Sequence, residues 1–235
     1  MSPAHVLITG GGTGIGRGIA EALRAEGHRL TLLGRRPEPL QAVAQALGCA
    51  VVVADVCGDP DAILDAVGPV DHLVHNAGAY LHAPLGAWTA EGLRALLAVS
   101  VEGPALLSQA WALRQNTPGS ITFIGSTLSS RPVPGTGPYA VAKAGLLGLS
   151  RALAVELAPR GLRSNAVLPG VVPTAMTEAP RGGDDPVARL AALEGLHPLG
   201  RLGAPRDVGE AVAYLLRATW VTGAELAVDG GLLLA

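Results

Sequence analysis

A largely parallel sheet of about seven strands, covered by helices on both faces, is the fold class this sequence predicts. Three observations lead to it. Short β-rich apolar runs alternate with longer runs of helical period along the whole chain. The apolar mass is Ala, Val and Leu with a single Phe, and such small side chains suit closely layered helices and a doubly covered sheet. No linker, internal repeat or low-complexity stretch divides the 235 residues, so one domain is expected.

Each element has its own local reason. Val6-Leu7-Ile8-Thr9 reads as the first strand, and the glycines after it release the chain into a helix over about 15–25. Residues 30–33 and 50–54 make the second and third strands, with a helix over about 38–47 between them. Asp59-Pro60 caps a short helix and places proline at the first helical position, where its missing N–H is harmless. Residues 72–75 form the fourth strand and lead into one long helix over about 89–114. Residues 121–124 are the fifth strand, followed by a Pro/Gly-rich loop and a helix over about 139–157. Residues 164–168 are the sixth strand, and about 171–200 is an irregular segment with two short helical patches. A helix over about 205–216 and a strand at 225–228 complete the pattern, whose βαβ crossovers are expected to be right-handed.

Composition removes several function classes. Apolar residues are 49% and charged residues 15%, which builds a core and argues against disorder. The net charge is -2 with no run of like charges, so no nucleic acid or anionic membrane is expected as a partner. No apolar run reads as a membrane span, and Met1-Ser2-Pro3-Ala4-His5 lacks the charged start of a signal peptide. Cys49 and Cys57 lack zinc spacing; they read as core thiols in a reducing cytoplasm, and no metal site is expected. Every basic residue is Arg except Lys143.

Thr9-Gly10-Gly11-Gly12-Thr13-Gly14-Ile15-Gly16 lies between the first strand and the first helix. A pyrophosphate rests on the free N–H groups of a helix start, and glycines clear the path to them, so this turn is a dinucleotide site. Gly10, Gly14 and Gly16, in the order Thr-Gly-x-x-x-Gly-x-Gly, resemble the short-chain dehydrogenases/reductases, and later motifs carry that resemblance over essentially the whole chain. It implies a Rossmann-like fold and an NAD(P)-dependent oxidoreductase. At the end of the second strand, Gly34 stands where an acid would hold the adenosine ribose, and Arg35 and Arg36 follow. Guanidinium forks suit a 2′-phosphate, so NADP(H) is favoured over NAD(H). Thr13 stands where some NADP-preferring relatives carry a further basic residue.

The resemblance also implies that Asp55-Val56 contacts the adenine and that Asn76-Ala77-Gly78 passes beside the cofactor ribose. His75, ahead of them, departs from the family's Asn; as a lone histidine in a buried strand it reads as structural rather than as a ligand or base. Pro169, Gly170, Val172 and Thr174 resemble the segment that receives the nicotinamide carboxamide.

Tyr139 and Lys143 are four apart on one helix and share a face, and Ser126 precedes Tyr139 by thirteen positions at the end of a strand. A carbonyl that accepts a hydride also needs a proton. A free phenol, with a pKa near 10, is roughly three units too weak an acid for that exchange at neutral pH. A neighbouring ammonium corrects this, and a serine hydroxyl holds the substrate oxygen. The family uses the same Ser, Tyr and Lys, which makes Tyr139 the general acid/base. Ser100 takes the place of an Asn that in the family helps hold a relay water, so either slower activity or a rearranged water chain is expected.

For the substrate side, a lid is expected over about 171–200, including Arg181-Gly182-Gly183-Asp184. Residues 131–138 form a second wall, and Tyr80, Leu81, His82 and Trp88 a third. The implied activity is hydride transfer between nicotinamide and a ketone or secondary alcohol on a small molecule. A 3-oxoacyl-thioester reductase is one candidate; reductases of small ketones, sugars or polyketide intermediates are others. A non-catalytic dinucleotide-binding sensor or scaffold is the rival class, and retention of Tyr139 and Lys143 speaks against it. A homo-oligomer, tetramer or dimer, is expected through the two long helices, with a shortened loop at Arg217-Ala218-Thr219-Trp220 near a contact.

Overall fold

The structure, a computed structural model, describes residues 3–179 and 185–235. In it, β1 (His5–Thr9), β2 (Arg29–Gly34), β3 (Ala50–Val53), β4 (His72–His75), β5 (Gly119–Ile124), β6 (Leu162–Pro169) and β7 (Glu225–Val228) form one sheet. All pairings are parallel, in the order β3-β2-β1-β4-β5-β6-β7. The connecting helices are α1 (Gly14–Ala25), α2 (Pro37–Leu47), α3 (Pro60–Val67), α4 (Ala90–Leu97), α5 (Gly103–Arg114), α6 (Gly137–Leu157), α7 (Ala175–Glu178), α8 (Pro186–Glu194) and α9 (Pro205–Arg217). This is the doubly wound, Rossmann-like architecture expected.

The two faces are separate cores. Ile8, Leu32 and Val74 point into one with Ile19, Leu40 and Val212 from α1, α2 and α9. Leu7, Phe123 and Ala166 point into the other with Ile63, Trp111 and Leu146 from α3, α5 and α6. The strand order reverses where β1 meets β4, with Thr9 opposite His75. Chain leaves these strand ends in opposite directions, and a crevice opens above them.

The long helix expected over 89–114 is broken. A π-helical turn, Ala98–Glu102, separates α4 from α5. Pro104 has no N–H to return to the Ser100 carbonyl four residues back, and the Gly103 N–H reaches Ala98 instead. Taken together, Ala90–Arg114 is long and apolar enough by length and composition to cross a membrane, which corrects the expectation that no stretch is. Leu96, Leu107 and Trp111 along it are buried in the cores. The two patches expected in 171–200 are α7 and α8, while Arg181-Gly182-Gly183-Asp184 lies outside the described residues.

Candidate active site

A cavity of about 490 Å³ fills the crevice. One end is floored by the glycine turn. Thr13 is the N-cap of α1 but makes no side-chain capping bond, so the first N–H groups of that helix face the cavity at Gly14 and Ile15. Gly16 lies behind the turn rather than in the lining; a Cβ there would fall 2.2 Å from the Gly10 carbonyl oxygen and 2.5 Å from Asn76 Nδ2. Gly14 has φ +52° and sits against the Thr174 side chain. Backbone donors at a helix start, in a turn packed too closely for a Cβ at Gly10 or Gly16, fit a pyrophosphate, so these residues fit a nicotinamide dinucleotide.

The turn is braced by a residue that sequence reasoning missed. Thr9 Oγ1 accepts from the N–H groups of Asn76 and Ala77, both at 3.0 Å. Asn76 Nδ2 donates in turn to the carbonyls of Thr9 at 3.1 Å and Gly10 at 3.0 Å. The ends of β1 and β4 are thus cross-tied beneath the cofactor path. His197 is a second such residue: its Nε2 accepts from the Val171 N–H at 3.3 Å and fixes the segment from Pro169 to Thr174. Thr9 opens the glycine motif, yet its bracing role was not read from it; nothing local points to His197.

Gly34, Arg35, Arg36, Asp55 and Val56, the residues expected around the adenosine, also line the cavity. Arg35 is 3.7 Å from the Asp55 carboxylate and its side chain is 75% exposed. Asn76, Ala77, Gly78, Ser126, Tyr139, Lys143, Pro169, Gly170, Val172 and Thr174 also line this space.

The three candidate reacting groups are held from different elements. Ser126 lies two residues beyond β5, at the start of a short helical turn, and is 8% exposed; its Oγ accepts from the Leu128 N–H at 3.2 Å, so its own proton is directed elsewhere. Tyr139, in the first turn of α6, is 9% exposed, with the Tyr80 ring tilted against it at 5.0 Å. Lys143 lies one turn on, 5% exposed; its Nζ donates to the Ile124 carbonyl at 2.8 Å and stands 5.7 Å from the Tyr139 ring centre. Burial pushes the Lys143 pKa down to about 8. The ammonium is charged at neutral pH and closer to losing its proton than a surface lysine.

Two candidates are placed less simply. Ser100 sits on the π turn, 1% exposed, outside the lining, and its Oγ has no hydrogen-bond partner. His75 is buried against Phe123, rings stacked at 5.0 Å, with Nε2 2.9 Å from Ser108 Oγ and Nδ1 unpartnered. Burial lowers its pKa to about 3, so it is neutral and structural, as the lone-histidine reading expected. Of the third wall only Tyr80 faces the cavity. Trp88 instead donates from Nε1 to the Ala83 carbonyl at 2.9 Å and covers Gly137, while His82 packs on Gly135.

Residues 10–233 match a family model described as enoyl-(acyl carrier protein) reductase. Galactitol 2-dehydrogenase (L-tagatose-forming) of Cereibacter sphaeroides is 40% identical over 98% of this chain and 95% of its own. The 3-oxoacyl-(acyl-carrier-protein) reductase MabA of Mycobacterium bovis is 33% identical over 97% of this chain and 92% of its own. A solved short chain dehydrogenase/reductase family protein superposes with a TM-score of 0.89 at 31% identity, over 99% of this chain and 98% of that one.

Proposed function

The chain belongs to the short-chain dehydrogenase/reductase family of oxidoreductases, and from that premise we propose that Tyr139, Lys143 and Ser126 carry out its reaction between a ketone and a secondary alcohol. The observation that carries the proposal is that these three side chains line the same cavity as the glycine turn, with the Lys143 ammonium 5.7 Å from the Tyr139 ring centre. The nicotinamide, when bound, supplies or takes the hydride. Ser126 holds the substrate oxygen with the proton it gives to no backbone acceptor. Tyr139 donates its phenolic proton to that oxygen in reduction and takes it back in oxidation. Lys143, charged beside the ring, favours the phenolate and so brings the phenol into range for this exchange. Ser100 supports the supply of protons from behind the site: its unpartnered hydroxyl and the loosened π turn suit a water held there.

Arg35 and Arg36 at the adenosine end support NADP(H) over NAD(H). The 171–200 segment acts as the lid within one catalytic domain. The acyl-carrier relatives support a 3-oxoacyl thioester as an alternative to a free ketone. Further copies of the chain cover the outer faces of α5 and α6, where Leu113 and Val155 are 74% and 75% exposed. The protein works in the cytoplasm, in keeping with two unpaired thiols.

Tyr139→Phe tests the assignment. Turnover of a ketone panel, followed by loss of reduced-nicotinamide absorbance, should fall at least about a thousandfold while cofactor affinity stays within about twofold. Unchanged turnover refutes the role given to Tyr139.

A further inference from the structure

The part of the cavity beyond Ser126 and Tyr139 has a composition of its own. Leu128, Val133, Met176, Leu193, Leu196 and Leu232 supply most of its wall. Its hydroxyls are already engaged. Thr136 Oγ1 donates to the Val133 carbonyl at 2.6 Å and accepts from the Val133 N–H at 3.0 Å. Thr177 Oγ1 donates to the Val172 carbonyl at 2.9 Å and accepts from the Thr174 N–H at 2.8 Å. The charged residues on this side, among those described, are both cations, Arg131 and Arg189. Among the described residues, the one acid in the lining is Asp55, beside Arg35.

The two arginines are held differently. Arg189, on α8, donates through Nη2 to the carbonyls of Thr177 at 2.6 Å and Ala179 at 3.0 Å, which latches α8 to α7. Arg131 stands at the mouth, five residues beyond Ser126. Its Nη1 is tied to the Leu232 carbonyl from the far end of the chain. A guanidinium has five N–H donors, so one tied through Nη1 at the cavity lining retains others with which to meet an anion.

Resting on the oxidoreductase reading above, we propose that the substrate class is a ketone or secondary alcohol with an apolar body and an anionic end, the latter met by Arg131, and not a polyhydroxylated sugar. The reasoning against a sugar is energetic. Each hydroxyl of a ketohexose loses hydrogen bonds to water on entering, and this wall offers leucines and already-paired threonines in return. A site that selects a polyol carries polar groups aimed at it, and rejects analogues because those groups would go unpaired. The reverse holds here: the apolar body replaces water at no such cost, and the carboxylate, sulfonate or phosphate stays at the wet mouth, where its partner is a guanidinium.

The test uses the intact protein and whichever nicotinamide form it binds more tightly. The probes are methyl ketones bearing a terminal carboxylate on spacers of increasing length, each paired with its methyl ester, together with a ketohexose. Expected is an acid-over-ester preference in kcat/KM of about tenfold at the best spacer, modest because Arg131 is exposed, and shrinking as salt rises. The ketohexose should be the slowest of the set. Arg131→Gln should bring the acid/ester ratio toward one; the ester serves as the internal reference, so a general loss of activity does not mimic the effect. Esters turned over as well as acids at every spacer, a ratio indifferent to Arg131→Gln, or a ketohexose preferred over all of them overturns the substrate class while leaving the oxidoreductase reading in place. No turnover of any probe by a protein that binds nicotinamide overturns both.

Discussion

The halves of this one cavity proposed for the cofactor and for the substrate are made of different materials. The cofactor half is built from strand ends and backbone: the Gly10–Gly16 turn, the Thr9–Asn76 cross-ties and the first N–H groups of α1. The substrate half is built from loop side chains and two short helices, α7 and α8, joined by the Arg189 latch. Backbone recognition depends on close approach and tolerates almost no added atom. Side-chain recognition depends on shape and charge and can be refitted one residue at a time.

The largest expected effect makes that contrast quantitative. Gly16→Ala places a methyl 2.2 Å from the Gly10 carbonyl oxygen and 2.5 Å from Asn76 Nδ2, both fixed by the cross-ties. Cofactor affinity should fall about a hundredfold or more by fluorescence titration. Leu196→Ala, at a residue 50% exposed in the opposite half, should change KM by no more than about threefold. Similar losses from both variants break the contrast between the halves.

The same division governs what the sequence made legible. Glycine spacing between a strand and a helix is a constraint on backbone, and it identified the turn; the four-residue offset of Tyr139 and Lys143 is a helical constraint, and α6 bears it out with both on one side. Those inferences needed only neighbours along the chain. What was missed needed distant ones. Thr9 acts on residues 67 and 68 positions away, and His197 acts on a segment 26 positions back. The π turn is a case between: Pro104 was in view, yet inside an apolar helical period it signalled nothing until the carbonyl it fails to serve was identified. Trp88 and His82 were placed on the cavity wall by proximity in sequence, but they brace the loop at Gly135 and Gly137 from outside.

The floor of the cofactor half offers the next test, in acid. Burial lowers the His75 pKa to about 3 from 6.5, and that of His72 to about 4. Above 6.5 neither group costs anything. As pH falls below 6.5 the unfolded chain takes up protons that the fold refuses, so stability is lost progressively down toward about 4 and then about 3. His75→Asn restores the amide expected at this place and removes one of the two. The stability difference between neutral pH and about pH 4, from urea melts, should shrink by roughly 2–3 kcal/mol, with His72 still contributing. An unchanged difference would mean that this floor opens early in acid and does not govern unfolding.

Lys143 belongs to both halves, and its burial sets function against stability. Its pKa is down at about 8 from 10.5, so the charged form is penalised in the fold; the penalty is complete below about 8 and relieved as pH rises toward 10.5. Lys143→Met should abolish turnover yet stabilise the protein at neutral pH by about 1–2 kcal/mol, the loss of the Ile124 hydrogen bond taking back part of the gain. Thermal melts should show the advantage fading above pH 9 or so, in the window the lowered pKa sets. A variant less stable than the parent at neutral pH would show that the ammonium is better solvated than its burial implies.

Arg35 is the exception that sharpens the comparison, because it is where the proposed cofactor recognition falls to a side chain. Its guanidinium is 75% exposed and 3.7 Å from Asp55, so its attraction for a 2′-phosphate is screened by water and shared with a carboxylate. Arg35→Ala should therefore narrow the NADPH-over-NADH preference by only about three- to tenfold, leave NADH affinity nearly unchanged, and have less effect still at high salt. This is the graded response of the substrate half appearing at the adenosine end. Loss of both cofactors together would instead tie Arg35 to the architecture of the turn, and the boundary between the two kinds of recognition would no longer fall between backbone and side chain.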